Sequence, residues 1–178
     1  KAQPLASHHE LAGRVDVAVV ATPTRLHHAI GRDLLESGIH ILIEKPLATT
    51  LREADELVAT ARANRRVLQV GHVERFNPAY EAARPYVQRP KYIEAVRTSS
   101  YSFRSTDIGA VLDLMSHDLD LVMDMVRGRL LDVQALGISV LGQHEDMAQA
   151  RLSFEGGCVA NLSVSRTSFQ AQRVMHVY

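Results

Sequence analysis

Between residues 15 and 70, short β-branched runs alternate with longer stretches of helical period, and this alternation restricts the fold more than any other feature of the chain. Val15-Asp-Val-Ala-Val-Val-Ala21 is an almost continuous apolar run that stops at Thr22-Pro23, as expected of a parallel strand buried on both faces. A helix is predicted over Leu26–Ser37, with Thr24 as cap, Ile30 and Leu34 on one face, and Gly38 where a left-handed terminator belongs. His40-Ile-Leu-Ile-Glu44 is the next strand. Thr50-Leu-Arg-Glu53 is a capping box opening a second helix, whose Leu51, Ala54, Leu57, Val58 and Ala61 form an apolar face. Val67–Val70 is a third strand. Strand, helix, strand, helix, strand with short connections means right-handed crossovers and a parallel sheet. Ligands of such sheets lie beyond the carboxyl ends of the strands, here Thr22-Pro23, Glu44-Lys45-Pro46 and Gly71-His72.

The pattern then changes. A helix over Pro78–Val87 and a strand over Tyr92–Ser99 lead to a long helix over Val111–Arg127. Strands follow at Asp132–Val140, Met147–Phe154, Cys158–Ser165 and Arg173–Tyr178. Successive strands around a Glu155-Gly156-Gly157 turn predict a largely antiparallel sheet. The fold class is therefore α/β followed by an α+β domain, with the boundary placed between residues 72 and 73.

Lys+Arg and Asp+Glu each number 20, so the chain has no net charge and no basic face for nucleic acid or an anionic membrane. No apolar run approaches the roughly 18 residues of a bilayer span, and a single cysteine, Cys158, cannot form an internal disulfide. A small-molecule ligand and a reducing, cytoplasmic setting are expected. The first ten residues have neither an initiator Met nor a signal-peptide pattern, so the chain reads as one entered in the middle.

Two features carry chemistry. On the long helix Leu112, Met115, Leu119, Val122, Met123 and Val126 cluster on one side at about 100° per residue, leaving Asp113, His117, Asp120 and Asp124 on another. Asp113 and His117, four apart, can pair so that the carboxylate orients the imidazole as a general base; the wet face of an amphipathic helix gives the same pattern. Lys45 ends a buried strand and precedes Pro46, which restricts its backbone to extended conformations. An ammonium held there stabilises a developing alkoxide, whereas a lysine in such a loop is also often a solvated charge. His8/His9 and His27/His28 are adjacent pairs, expected to diverge, so no metal site is predicted.

Ala21-Thr-Pro-Thr-Arg-Leu-His27, Glu44-Lys-Pro-Leu-Ala48, Gly71-His-Val-Glu-Arg-Phe-Asn77 and Gly109-Ala-Val-Leu-Asp-Leu-Met-Ser-His117 together resemble, in order and spacing, the glucose-fructose oxidoreductase/inositol dehydrogenase (Gfo/Idh/MocA) family. The resemblance implies a Rossmann-type dinucleotide-binding domain in residues 1–72 and a substrate and oligomerisation domain in residues 73–178. It implies Lys45, Asp113 and His117 as the catalytic set around a carbinol, with a cis Lys45-Pro46 bond. Thr22, Pro23, His27, Glu44 and Pro46 become cofactor contacts for NAD or NADP. For Thr22 and Pro23 a strand-ending turn, and for His27 a polar first-turn position, remain open. His72 and Arg75 match positions lining the substrate or cofactor side, Arg75 being equally readable as an interdomain salt-bridge residue.

The chain departs from the family in having no G-x-G-x-x-G among its ten glycines. The pyrophosphate turn is thus expected to precede Lys1, and the end of the carboxyl-terminal sheet to follow Tyr178. The implied activity is hydride transfer between nicotinamide and a secondary alcohol of a sugar, sugar nucleotide or cyclitol, in a homo-oligomer assembled through the carboxyl-terminal sheet. His72–Pro78 and Phe103–Gly109 look most like the UDP-N-acetylglucosamine 3-dehydrogenase branch. A regulatory protein that has lost catalysis, and a reductase of a non-sugar carbonyl or imine, are the alternatives on the same fold.

Overall fold

The computed structural model describes residues 2–102 and 108–178; of the Phe103–Gly109 stretch, residues 103–107 lie outside the described residues. The chain divides into two compact units, Lys1–His72 and Val73–Tyr178.

In the first unit β1 (Val17–Val20), β2 (His40–Ile43) and β3 (Leu68–Val70) form a parallel sheet in that order. Ala18 pairs with Ile41 and Val20 with Ile43, so these residues share one face. That face is covered by α1 (His27–Glu36) and α2 (Leu51–Ala63), burying Leu34, Leu35, Ile39, Leu57 and Ala61 against Val20, Ile41 and Ile43. Gly31 lets α1 approach closely, since a Cβ there would come within 2.8 Å of the Ile43 side chain. Gly38, at φ 81°, ends α1 as expected. The Thr50 hydroxyl accepts the Glu53 N–H at 3.2 Å and the Glu53 carboxylate accepts the Thr50 N–H at 3.2 Å, completing the capping box.

Two expectations need correction here, and one element is additional. Among the described residues β1 is not buried on both faces: Val17 and Val19 are 61% and 66% exposed, because both α1 and α2 pack on the Ala18/Val20 side. Leu51, in the first turn of α2, is 79% exposed rather than part of the apolar face. A 3₁₀ turn over His8–Leu11, capped by Ser7, has no counterpart in the sequence reading.

The second unit is built on a five-stranded sheet. Its strands are β4 (Tyr92–Thr98), β5 (Leu130–Ile138), β6 (Met147–Phe154), β7 (Val159–Ser165) and β8 (Gln172–Val177), in the order β5-β6-β7-β4-β8. Three pairings are antiparallel, and β4 with β7 is parallel. Gly156 and Gly157, at φ 87° and 84°, supply the left-handed turn between β6 and β7. One face of the sheet buries Ile93, Ala95, Ala148, Leu152, Phe154, Ala160, Leu162 and Val164 with Met115 and Val122 of the long helix.

That helix begins as a π-helical turn over Val111–Met115 and continues as α4 (Ser116–Val126). The wider turn shifts the helical register. Leu112 and Met123 are 40% and 46% exposed, while Leu121 and Asp118 are buried instead. The helix expected over Pro78–Val87 is regular only as α3 (Pro78–Ala83); Arg84–Tyr86 tightens to a 3₁₀ turn at Pro85, which lacks the N–H needed to continue. Among the described residues, no helix is long and apolar enough to cross a membrane.

Candidate active site

In the first unit the ends of the three strands lie side by side. The Glu44 N–H donates to the Val20 carbonyl at 2.9 Å and the Gly71 N–H to the Ile43 carbonyl at 2.8 Å. Gly71 packs so tightly on Glu44 that a Cβ would sit 3.0 Å from its carboxylate and 3.3 Å from its Cα. The Lys45-Pro46 peptide bond is cis. Lys45, Pro46 and His72 are all partly buried.

His27 holds this edge together. It is 1% exposed, with Nδ1 2.9 Å from the Pro46 carbonyl and Nε2 2.8 Å from the Thr22 carbonyl. Both neighbours are acceptors, so the ring donates to one strand-end loop when neutral and to both when protonated. It ties the turn after β1 to the loop carrying Lys45. The Thr22 hydroxyl is buried and has no hydrogen-bond partner among the described residues. A buried orphan hydroxyl costs stability unless a ligand satisfies it, and a nucleotide's oxygens suit it. Thr22, Glu44 and the loop through Pro46 therefore fit a nicotinamide dinucleotide at the carboxyl end of this sheet.

In the second unit Asp113 lies inside the π turn and His117 in the first turn of α4, both half-buried. The segment that launches them is fixed by residues the sequence did not single out. The Ala110 N–H donates to the Glu145 carbonyl at 2.8 Å and the Val111 N–H to the Glu145 carboxylate at 3.1 Å, capping the first helical turn. Asp146, fully buried, accepts the N–H groups of Val140, Leu141 and Gly142 on one oxygen, at 2.7, 2.7 and 3.3 Å. Its other oxygen accepts Arg166 Nε at 2.7 Å, and Arg166 reaches the Ile108 carbonyl at 2.8 Å. The Leu141 N–H, with Arg166 and the other two amides, holds the Asp146 carboxyl well below the usual carboxylate range despite its burial.

The polar side of α4 is bonded rather than wet. Asp118 takes Arg97 at 2.8–3.2 Å, and Arg97 also donates to Glu74 at 3.2 Å. Arg75 grips Asp120 with two 2.7 Å bonds, an ion pair within the second unit. Asp124 accepts Tyr80 Oη and Arg84 Nε, both at 2.6 Å. Burial and that carboxylate push the Tyr80 hydroxyl up to about 12, while Arg84, then Tyr80, hold Asp124 low. These bonds lock the Val73–Ala83 segment onto the helix that carries His117.

Sequence comparison decides the family. Residues 1–72 match the model of the oxidoreductase family with an NAD-binding Rossmann fold, and residues 59–178 match the Gfo/Idh/MocA carboxyl-terminal domain. The chain belongs to the Gfo/Idh/MocA oxidoreductase family. Among Gfo/Idh/MocA proteins, it is 37% identical over 169 residues to a UDP-N-acetylglucosamine 3-dehydrogenase of Acidithiobacillus ferrooxidans, covering 94% of this chain and 54% of that protein. A crystal structure of that enzyme superposes with a TM-score of 0.93 at 36% identity, covering 99% of this chain and 59% of that one. An inositol dehydrogenase homologue from Azotobacter vinelandii, solved with NADH and myo-inositol, gives a TM-score of 0.86 at 25% identity, covering 96% and 51%. The chain thus spans about half the length of the relatives it matches.

Proposed function

We propose that this chain belongs to a nicotinamide-dependent dehydrogenase that oxidises a secondary alcohol of a sugar-type substrate, with a sugar nucleotide such as UDP-N-acetylglucosamine favoured over a free cyclitol. Residues 1–72 serve as the carboxyl-side part of its dinucleotide-binding domain and residues 73–178 as its substrate and oligomerisation domain. The observation that carries this reading is the start of the helix that bears Asp113 and His117, both half-buried: its first turn is pinned by Glu145 and by the Asp146–Arg166 pair. A solvated amphipathic face has no need of so fixed a start.

A nicotinamide dinucleotide, NAD or NADP, would supply the hydride acceptor for the carbinol carbon. His117 takes the hydroxyl proton, and Asp113 orients the ring and offsets the charge it gains. Lys45 stabilises the negative charge that grows on the oxygen as the O–H bond breaks. Thr22, Glu44 and Pro46 bind the dinucleotide, Pro23 shapes the turn beside it, and His27 positions both loops from beneath. His72 lines the substrate side; Arg75, its charge committed to Asp120, contributes there through its guanidinium face. The sugar-nucleotide preference rests on the 37% identity to the UDP-N-acetylglucosamine enzyme, spread over nearly the whole chain. A cytoplasmic setting suits the single buried cysteine, Cys158.

We further infer self-association through the second sheet. All nine residues of β5 are exposed on an open edge, among them Val133, Leu136 and Ile138 at 52%, 61% and 48%.

The 178-residue chain by itself is read as incomplete for catalysis, so initial-rate assays of a version extended to include the expected pyrophosphate turn, with UDP-N-acetylglucosamine and either NAD or NADP, test the reaction. With His117 as base, kcat/KM rises with pH through the histidine range, and His117→Asn removes that rise. Lys45→Met lowers kcat by about 10²–10³ with little change in cofactor affinity. Unchanged pH profiles and rates in both variants would return the two residues to structural roles.

A further inference from the structure

We propose that His8, His9 and Asp33 form a binding site for one divalent transition-metal ion of the zinc, nickel or copper class. The proposal is independent of the dehydrogenase reading and concerns a different part of the first unit.

The two histidines begin the 3₁₀ turn His8–Leu11, and Asp33 projects from α1. Adjacent histidines were expected to diverge, but here their rings lie with centroids 4.0 Å apart, tilted by 38°. Both Nε2 atoms point at one carboxylate oxygen, Asp33 Oδ2, at 3.2 Å from His8 and 3.9 Å from His9. All three donor atoms lie within 4.8 Å of one another. Ligand atoms of a tetrahedral zinc ion with bonds of about 2.0–2.1 Å are separated by about 3.3 Å. The His8–Asp33 spacing already meets this, and a small swing of His9, whose side chain is 67% exposed, closes the rest.

The backbone beneath the donors is preorganised. Ser7 Oγ accepts the His9 N–H at 3.3 Å, and the Glu10 carboxylate accepts the N–H groups of Ala6 and Ser7 at 2.9 and 3.0 Å. Two imidazole nitrogens and one carboxylate oxygen match borderline transition metals, and not calcium or magnesium, which favour all-oxygen shells. Side-chain exposures of 28% at His8 and 29% at Asp33 leave the remaining coordination positions to water. Arg32 lies 3.8 Å from the other Asp33 oxygen and is itself 3.8 Å from Glu36. Its positive charge opposes a cation on Asp33 and so limits the affinity. A bound ion would tie the 3₁₀ turn to α1 and stabilise the folded chain by mass action.

Titration of the purified chain with Zn²⁺ against a chromophoric competing chelator at neutral pH tests this, with thermal unfolding followed in parallel. One saturable equivalent per chain and a Zn²⁺-dependent rise in melting temperature are expected. His9→Ala, at an exposed ring, and Asp33→Asn should each weaken binding at least about tenfold. Arg32→Gln should tighten it. His28→Asn, which removes the His28–Glu56 pair (2.9 Å) elsewhere in the same unit, should leave it unchanged. Absence of a saturable equivalent, wild-type affinity in a folded His9→Ala chain, or an equal loss in His28→Asn would each overturn the proposal.

Discussion

Gly109 and Glu145 exclude any side chain between them: a Cβ on Gly109 would overlap the Glu145 carboxylate, the group that caps the Val111 N–H. The carboxylate is the far end of a flexible side chain, so Gly109→Ala is met by displacing it rather than by moving the backbone. The cost is then that of an uncapped helix start, about 0.5–2 kcal/mol. Glu145→Ala loses the same cap directly. Because both act through one hydrogen bond, the double variant should be destabilised by clearly less than the sum of the two. Urea denaturation of the four proteins measures this, and simple additivity would separate the glycine from the cap.

Arg166→Met leaves Asp146 buried with its charge uncompensated, and a loss of about 3–5 kcal/mol is expected from such a half-broken pair. The carboxyl of Asp146 is held low in the folded chain. Its contribution is therefore fully present above the ordinary aspartate pKa of about 3.9 and is lost as the pH falls through and below that value. For the wild type, denaturation midpoints should lose the Asp146 contribution only as the pH falls below about 4. Asp146→Asn should start lower at neutral pH and fall less. Parallel curves would mean that Asp146 is not held in its charged form.

Leu136→Glu with Ile138→Lys places charge on the exposed outer face of β5. If that face joins two copies, sedimentation velocity should show the wild type as a dimer or larger and the variant as a monomer, with matching circular dichroism spectra. An unchanged mass in the variant would move the interface elsewhere.

Much of the first unit was legible because its signals are local. The capping box at Thr50 and Glu53 and the terminator Gly38 sit within one helical turn of what they control. What escaped was set by distant partners. Val17 and Val19 look as buried as Val20 until one knows that α1 and α2 lie on the same face of the sheet. Asp118 resembles its neighbours Asp120 and Asp124 in sequence, yet only the approach of Arg97 from β4 buries it. The π turn around Asp113 has no sequence signature comparable to a proline or glycine, so the long helix was read as regular and Leu112 was placed on its apolar face. Asp113, His117 and Lys45 were named from motif and strand-end position. Glu145, Asp146 and Arg166, which fix the start of that helix, lie outside every motif and meet it only through tertiary pairing.

The position of β4 governs how the second unit can be assembled. Among the described strands it is made first in its sheet but sits between β7 and β8, both made much later, Ile93 pairing with Ala160 on one side and Val177 on the other. As the chain leaves the ribosome, the β5-β6-β7 meander can zip by neighbouring hairpins while β4 waits with both edges open. Long-range closure of this kind is slow and leaves strand edges exposed in the meantime. The β4–β8 pairing can close only after the β5-β6-β7 meander has been made, so a substitution that breaks the Ile93–Val177 register should slow completion of this sheet without disturbing the meander.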